Sequence, residues 1–329
     1  MIGRDVRRWA KDVLGDAYLL VHPPSDPVPL SRLTRLHVVL GTGCNCRCSM
    51  CYQPEFSSTL DPVLQETVLR PLFPHLREVI LQGGEPTLLP ATRRLADRIL
   101  QENPAVRFAM FTNGQRFGGE WADFFLDHGS YVNFSVNAAT ERVHRRITSG
   151  DVDWTRLLEN IRRLVLARTT RNSSLRVRTS FVATDDNLPE LSAFLDFSRA
   201  LGADEIHYFF DASRLPRDRV RAREELEEAD AWRTGHPRVP VEGLEMFSHH
   251  LLGTPPSPPR CSWPFDSLHV EVNGDARFCC LIHKPLGNLK DSSVEALWNG
   301  WRARRLRRMV GGGNLRFCGP YCRPREGEG

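Results

Sequence analysis

The chain has 329 residues, 41% of them hydrophobic, enough for a sizeable core and for one large domain with a smaller one beside it. A net charge of +4 is too mild for this length to imply nucleic acid. No apolar run approaches the ~20 residues of a membrane span, and Met1-Ile-Gly-Arg-Asp5 lacks the apolar core of a signal peptide. A cytoplasmic location is expected, where nine cysteines serve as metal ligands or reactive thiols rather than as disulfides.

Residues 1–35 read as a short amphipathic helix (Val6, Trp9, Ala10, Val13, Leu14) and a proline-rich linker, too short for a separate domain. Strands and helices then alternate over residues 36–210. Strands are expected at 36–40, 78–82, 106–111, 131–136, 175–182 and 206–210, and helices at 61–73, 91–102, 119–128, 154–167 and 188–201. Six βα units in series imply a parallel sheet, with the active site at the C-terminal ends of its strands.

The first strand runs into Gly41-Thr-Gly-Cys44-Asn-Cys46-Arg-Cys48-Ser-Met-Cys51-Tyr52. Cys44, Cys48 and Cys51, spaced C-x3-C-x2-C on a loop, can hold an iron–sulfur cube and leave its fourth iron free to bind and reduce a small molecule; a structural zinc site would use four ligands. The second strand ends in Gly83-Gly84-Glu85-Pro86, where the glycines let backbone approach a ligand and Glu85 can accept hydrogen bonds from an ammonium. The next two strands end in Thr112-Asn113-Gly114 and Ser135-Val-Asn137.

The cysteine spacing followed by aromatic Tyr52, with Gly83–Pro86 after the next strand, resembles the radical S-adenosylmethionine (SAM) enzymes. The resemblance implies an α/β fold, a partial (βα)6 TIM barrel. It also implies a [4Fe–4S] cluster on Cys44, Cys48 and Cys51 that splits SAM into methionine and a 5′-deoxyadenosyl radical. By the same resemblance Tyr52 lies near the adenine and Gly83, Gly84, Glu85 and Pro86 bind the methionine amino group. Thr112, Asn113, Ser135 and Asn137 would line the rest of the SAM pocket. A flavodoxin or ferredoxin would supply the electron.

Residues 211–259 read as a helical linker. Arg217–Arg233 is a charged, solvated helix, and Thr254-Pro-Pro-Ser-Pro-Pro259 marks a boundary. From residue 260 a second cysteine set begins. Cys261 precedes two alternating stretches joined by Asn273-Gly274, a hairpin signal, and Cys279 and Cys280 end the second stretch. Cys318 and Cys322 follow a helix carrying the arginine run Arg302–Arg308, in which Trp301, Leu306 and Met309 look buried and the arginines solvated. This arrangement resembles the twitch form of the SPASM domains of radical SAM enzymes, a small hairpin-and-helix unit. The resemblance implies one auxiliary [4Fe–4S] cluster on Cys261, Cys279, Cys318 and Cys322, with Cys280 an alternative to Cys279; spacing alone also allows a four-cysteine zinc ribbon.

Cys46 and Cys280 are left over, and each is either a thiol hydrogen donor to a substrate radical or a packed small hydrophobe. The resemblance extends to small carbohydrate- and aminoglycoside-modifying dehydrogenases and epimerases of antibiotic biosynthesis. The expected substrate is therefore a carbohydrate-like small molecule, oxidised or epimerised; residues 1–35 offer little room for a leader-binding domain. The alternatives are a peptide-modifying radical SAM enzyme and, remotely, a non-catalytic zinc or nucleic-acid binding protein.

Overall fold

The computed structural model describes residues 27–53, 55–211, 215–253, 261–282, 284–315, 318 and 322. The helix expected near the N-terminus and the proline-rich boundary at 254–259 lie outside the described residues.

The apolar runs bounded by turn residues form the six expected strands: β1 (Arg35–Val39), β3 (Glu78–Gln82), β4 (Arg107–Thr112), β5 (Gly129–Ser135), β7 (Arg176–Ala183) and β8 (Glu205–Phe210). All are parallel and adjacent in that order. Two short strands, β2 (Cys46–Cys48) and β6 (Thr148–Gly150), form a separate antiparallel ladder. Helices α1 (Pro90–Glu102), α2 (Glu120–His128), α3 (Glu141–Ile147), α4 (Trp154–Thr170) and α5 (Ala193–Ala200) lie between the strands. The helix expected at 61–73 breaks into a wide π-helical turn, Leu64–Val68, and a tighter 3-10 segment, Arg70–His75, where Pro71 and Pro74 lack the N–H that a regular helix needs.

Alternation along the strands sorts the side chains onto two faces. Leu36, Val38, Val79, Leu81, Phe108, Met110, Val132, Phe134, Val177 and Phe181 join the helices in one continuous core. On the opposite face, which forms the barrel lumen, Ile80, Ala109 and Tyr131 pack with Phe111 and Trp263.

The charged run after residue 216 is not a solvated linker helix. It forms α6 (Arg219–Gly235), which buries Ala222, Glu225, Leu226 and Ala229 on one stripe. Glu225 accepts hydrogen bonds from Ser192 N (2.9 Å) and Ser192 Oγ (2.7 Å) and pairs with Arg221. Strand β9 (Val241–Glu242) then adds in parallel to β8 and leads into α7 (Leu244–Leu252).

The C-terminal segment supplies the other edge. A single turn, α8 (Trp263–Asp266), leads into β10 (Ser267–Val270), which runs parallel to β1, with Arg35 opposite Ser267 and His37 opposite His269. The Asn273-Gly274 hairpin forms as expected, with Gly274 at φ 92°, and joins β10 to β11 (Asp275–Arg277), which pairs with β12 (Gly287–Asn288). The auxiliary hairpin and the barrel thus share one ten-stranded sheet.

Helices α9 (Val294–Asn299) and α10 (Trp301–Gly311) cover the hairpin. Two of the arginines expected to be solvated, Arg305 and Arg307, are buried, whereas Trp301 is exposed. Arg307 donates to Pro264 O and Trp298 O, both at 2.7 Å, and lies 4.0 Å from the Trp298 ring and 5.0 Å from that of Phe278. Burial lowers its pKa to about 10, so it stays cationic between two aromatic faces.

Candidate active site

Past the ends of β1 and β3, the two signature loops zip together through their backbones. Gly84 N donates to Gly41 O at 2.9 Å, and Glu85 N to Gly43 O at 2.8 Å. A Cβ on Gly84 would lie 2.2 Å from Gly43 O and 2.4 Å from Thr42 O; one on Gly83 would lie 2.4 Å from Gly41 O. The close approach that the glycines permit is to the cysteine-bearing loop, where the sequence suggested a ligand.

This zipper carries Glu85 into the interior, where its side chain is fully buried. Oε1 accepts from Thr87 N (3.2 Å), Thr87 Oγ1 (2.7 Å) and Thr112 Oγ1 (2.7 Å), and Oε2 accepts from Asn113 N at 2.7 Å. Burial pushes the carboxyl pKa up, while the donors from Thr87, Asn113 and Thr112 pull against it. The Asn113 side chain reaches the first loop, donating to Asn45 Oδ1 at 2.9 Å and lying 3.8 Å from Cys44 Sγ. Thr112 and Asn113 therefore tie β4 to both signature loops. Pro86 is buried and opens the short turn Pro86–Leu88.

The β2–β6 ladder fixes the cysteine loop from its other side. Cys46 lies opposite Gly150 and Cys48 opposite Thr148, and Ser49 N donates to Ile147 O at 2.9 Å. The segment closes on itself through Cys51 N to Cys48 O at 3.0 Å. Cys48 senses the charges of both Cys44 and Cys51, so the three thiols share one neighbourhood. A hydrogen bond from Cys46 is the main cause that lowers Cys44 to about 7, whereas burial holds Cys48 at about 11. Cys46 is buried against Cys44.

The second set gathers around the end of the hairpin. Cys318, Cys261 and Cys322 pack with Val310 and Leu315, and Cys318 bridges to Ile282. Cys279 senses Cys261, Cys280 and Cys322, and burial raises its pKa and takes Cys322 up to about 12. Among the described residues, no three cysteine, histidine or acidic side chains stand together as a finished metal site. What each neighbourhood offers is a soft, all-thiol donor set, the type that iron–sulfur clusters take.

Tyr52, 76% exposed, lies within the electrostatic reach of Cys51, Glu271 and Cys280. Ser135 is half-buried at the end of β5. Asn137, at φ 61°, spends its side-chain oxygen on Val182 N at 2.8 Å and its own N–H on Ser180 O at 3.0 Å, locking β5 to β7. Sequence reasoning missed Asn45 and Thr87, which lack a motif of their own. It also missed the lumen residues His37, Gln82, His269 and Glu271, whose strand parity could have revealed them.

Two protein families match the chain: the radical SAM superfamily over residues 38–177 and the iron–sulfur cluster-binding domain called SPASM over residues 261–323. The chain carries a radical SAM domain followed by an auxiliary-cluster domain, and its cofactors are SAM, the [4Fe–4S] cluster that binds SAM and an auxiliary iron–sulfur cluster. It is 27% identical over 158 residues to a serine-type anaerobic sulfatase-maturating enzyme of Klebsiella aerogenes, covering 43% of this chain and 38% of that protein. It is 30% identical over 187 residues to a probable GTP 3′,8-cyclase of Metallosphaera sedula, covering 53% of this chain and 55% of that one. The chain thus spans between two fifths and just over half of these relatives. In fold it resembles Streptococcus suis SuiB bound to S-adenosylmethionine, with a TM-score of 0.63 and 16% identity over 93% of this chain and 74% of that one. It also resembles native anSMEcpe with bound AdoMet and Cp18Cys peptide, with a TM-score of 0.61 and 16% identity over 89% and 84%. Among the described residues, no helix is long and apolar enough to cross a membrane.

Proposed function

We propose that the protein abstracts a hydrogen atom from a peptide substrate and leaves it oxidised. The observation that supports this reading is the shared sheet: β10 pairs with β1, and Tyr52, next to Cys51, lies within the electrostatic reach of Cys280 and Glu271 at the end of the hairpin. The choice of a peptide is supported by the fold neighbours, one a SuiB bound to its precursor peptide and one an anSMEcpe bound to a peptide, and by the sulfatase-maturating relative. It replaces the carbohydrate-like substrate expected from the sequence, which these likenesses do not support.

In this reading Cys44, Cys48 and Cys51 hold the SAM-binding cluster, and Cys261, Cys279, Cys318 and Cys322 hold the auxiliary one. When bound, the two clusters supply the electron that cleaves SAM and a place for the electron released on oxidation. The residues of the chain position the reactants. Glu85, fully buried with four protein donors, holds Thr87, Thr112 and Asn113 in place at the signature loops. Asn113 holds the Cys44 side of the loop, exposed Tyr52 offers an aromatic face to the adenine, and Ser135 borders the pocket from β5. Cys280, exposed, lies near Glu271, Arg277 and Tyr52, whereas Cys46 is packed against Cys44 and serves as a small hydrophobe.

Reconstituted anaerobically, the protein is expected to hold about eight irons, falling to about four in Cys44→Ala/Cys48→Ala/Cys51→Ala. With SAM, a reductant and a pool of short peptides it should release 5′-deoxyadenosine together with a peptide lighter by two hydrogens. Release with aminosugars and not with peptides would overturn the reading. Deuterium incorporated at an inverted carbon in D2O would replace oxidation by epimerisation.

A further inference from the structure

Buried polar side-chain atoms are nearly always hydrogen-bonded, and each exception calls for a reason. Among the described residues, several exceptions lie on one face of four adjacent strands: both ring nitrogens of His37 on β1 and of His269 on β10, Gln82 Oε1 on β3 and Arg277 Nε on β11. Register puts them on the same side. His37 is directly opposite His269, His269 is opposite Arg277, and Val39, two residues along from His37, is opposite Gln82. This is the lumen face, since His37 also lies opposite Ile80 of the lumen cluster. The two imidazoles meet edge to face at 4.7 Å, and the Trp263 ring lies 6.1 Å from His37. His37 and His269 are almost fully buried, while Glu271 and Arg277 remain about one-fifth exposed, so the array runs from the interior to the surface.

The unused valences are of both kinds. Both nitrogens of the His269 ring lack a hydrogen-bond partner, and Nε2 stands 3.1 Å from Glu271 Oε1 without the geometry of a hydrogen bond. Burial above all, then His269, pushes the His37 pKa well below its usual value against a pull from the neighbouring Gln82 side chain, so its neutral ring offers one donor and one acceptor. Gln82 Oε1 adds an acceptor and Arg277 Nε a donor. The formal charges cancel locally. Glu271 faces Arg277 at 3.8 Å, and Arg35 is occupied by Glu78 and Asp266. A phosphate would need donors throughout and an ammonium acceptors throughout; this site supplies both at zero net charge.

The geometry points to a subsite in which His37, Gln82, His269 and Arg277 hold a neutral amide or hydroxyl group of the substrate. The chemistry itself stands on the orphaned atoms; that the group comes from a peptide rests on the function proposed above.

The test uses the anaerobically reconstituted protein with SAM bound and three probes: N-acetylserinamide, myo-inositol and inorganic tripolyphosphate. Binding is followed by saturation-transfer NMR or, for tripolyphosphate, by phosphorus line broadening. N-acetylserinamide is expected to bind, and to weaken about fivefold or more in His37→Phe and in Gln82→Met, with iron content and SAM affinity unchanged. If His37→Phe loses iron, Gln82→Met carries the test alone. Tighter binding of myo-inositol than of the amide would keep the subsite and overturn the peptide source. Binding of tripolyphosphate in preference to both, absence of binding by both neutral probes, or equal binding by wild type and the testable variants would overturn the subsite. 5′-Deoxyadenosine release with peptides, measured separately, shows whether the proposed function survives that failure.

Discussion

Alanine at position 84 separates two roles that a glycine pair beside a cofactor loop can have. The added Cβ would meet Gly43 O at 2.2 Å, Thr42 O at 2.4 Å and Gly43 C at 2.5 Å, all backbone atoms. Relief requires the two loops to part, which breaks Gly84 N to Gly41 O and Glu85 N to Gly43 O. Two hydrogen bonds at about 0.5–1.5 kcal/mol each and overpacking at about 1–3 kcal/mol give a cost of about 2–6 kcal/mol. That corresponds to a fall in melting temperature of roughly 3–9 °C. Gly43→Ala is the control. Its Cβ would meet the mobile end of the Leu89 side chain at 3.3 Å, and its cost should stay below about 1 kcal/mol. Thermal unfolding under argon, read with iron content and SAM affinity, distinguishes the two roles. Gly84→Ala should unfold early and lose iron from the first cluster. If it instead keeps its melting temperature and iron while losing SAM, the glycines serve the ligand and the loop-zipper reasoning is wrong.

Three further perturbations follow from the packing. Arg307→Ala strands the carbonyls of Pro264 and Trp298 in the interior, at about 1–3 kcal/mol each. It should remove the auxiliary cluster before the barrel cluster, leaving about four irons per chain; iron and sulfide analysis checks this, and uniform loss of both clusters would contradict it. Glu225→Ala leaves the half-buried Ser192 N–H without its acceptor, and denaturant unfolding should show a loss of about 1–3 kcal/mol, where a solvated helix would show almost none. Asn113→Ala removes the donor beside Cys44 Sγ and should lower the reduction potential of the first cluster, measured by redox titration with EPR, since donors to cluster sulfurs favour the reduced state.

The six barrel strands were legible because each is a short apolar run ended by a glycine or a polar turn, and because alternation and chain order define a parallel sheet. The cysteine sets were legible by spacing. Other features depend on contacts distant in sequence. The stripe on α6 is built largely of alanines, which carry little hydrophobic signal beside eight charged neighbours in the run Arg219–Asp230. Arg307 looks solvated until the Trp298 and Phe278 faces come together around it. Glycine pairs announce a close approach without saying to what, and here the partner is Gly41–Gly43, some forty positions earlier in the chain. His37 reads as one polar residue in an apolar strand; its meaning appears with His269 beside it, from the far end of the chain.

The parallel pairing of β1 with β10 also sets the order in which the molecule can be made. During synthesis β1 leaves the ribosome early and presents one bare edge, with the first cysteine loop at its tip, until residues 267–270 arrive. At roughly 5–20 residues per second that interval lasts roughly 12–45 seconds. The pairing also closes a very long loop, a slow and non-local event. The nascent barrel therefore waits, unsealed, for its last strand. A chain ended after β9 would keep that edge open and tend to associate edge to edge. Iron delivered to the first loop before β10 docks would reach a site whose lumen wall is still missing one side.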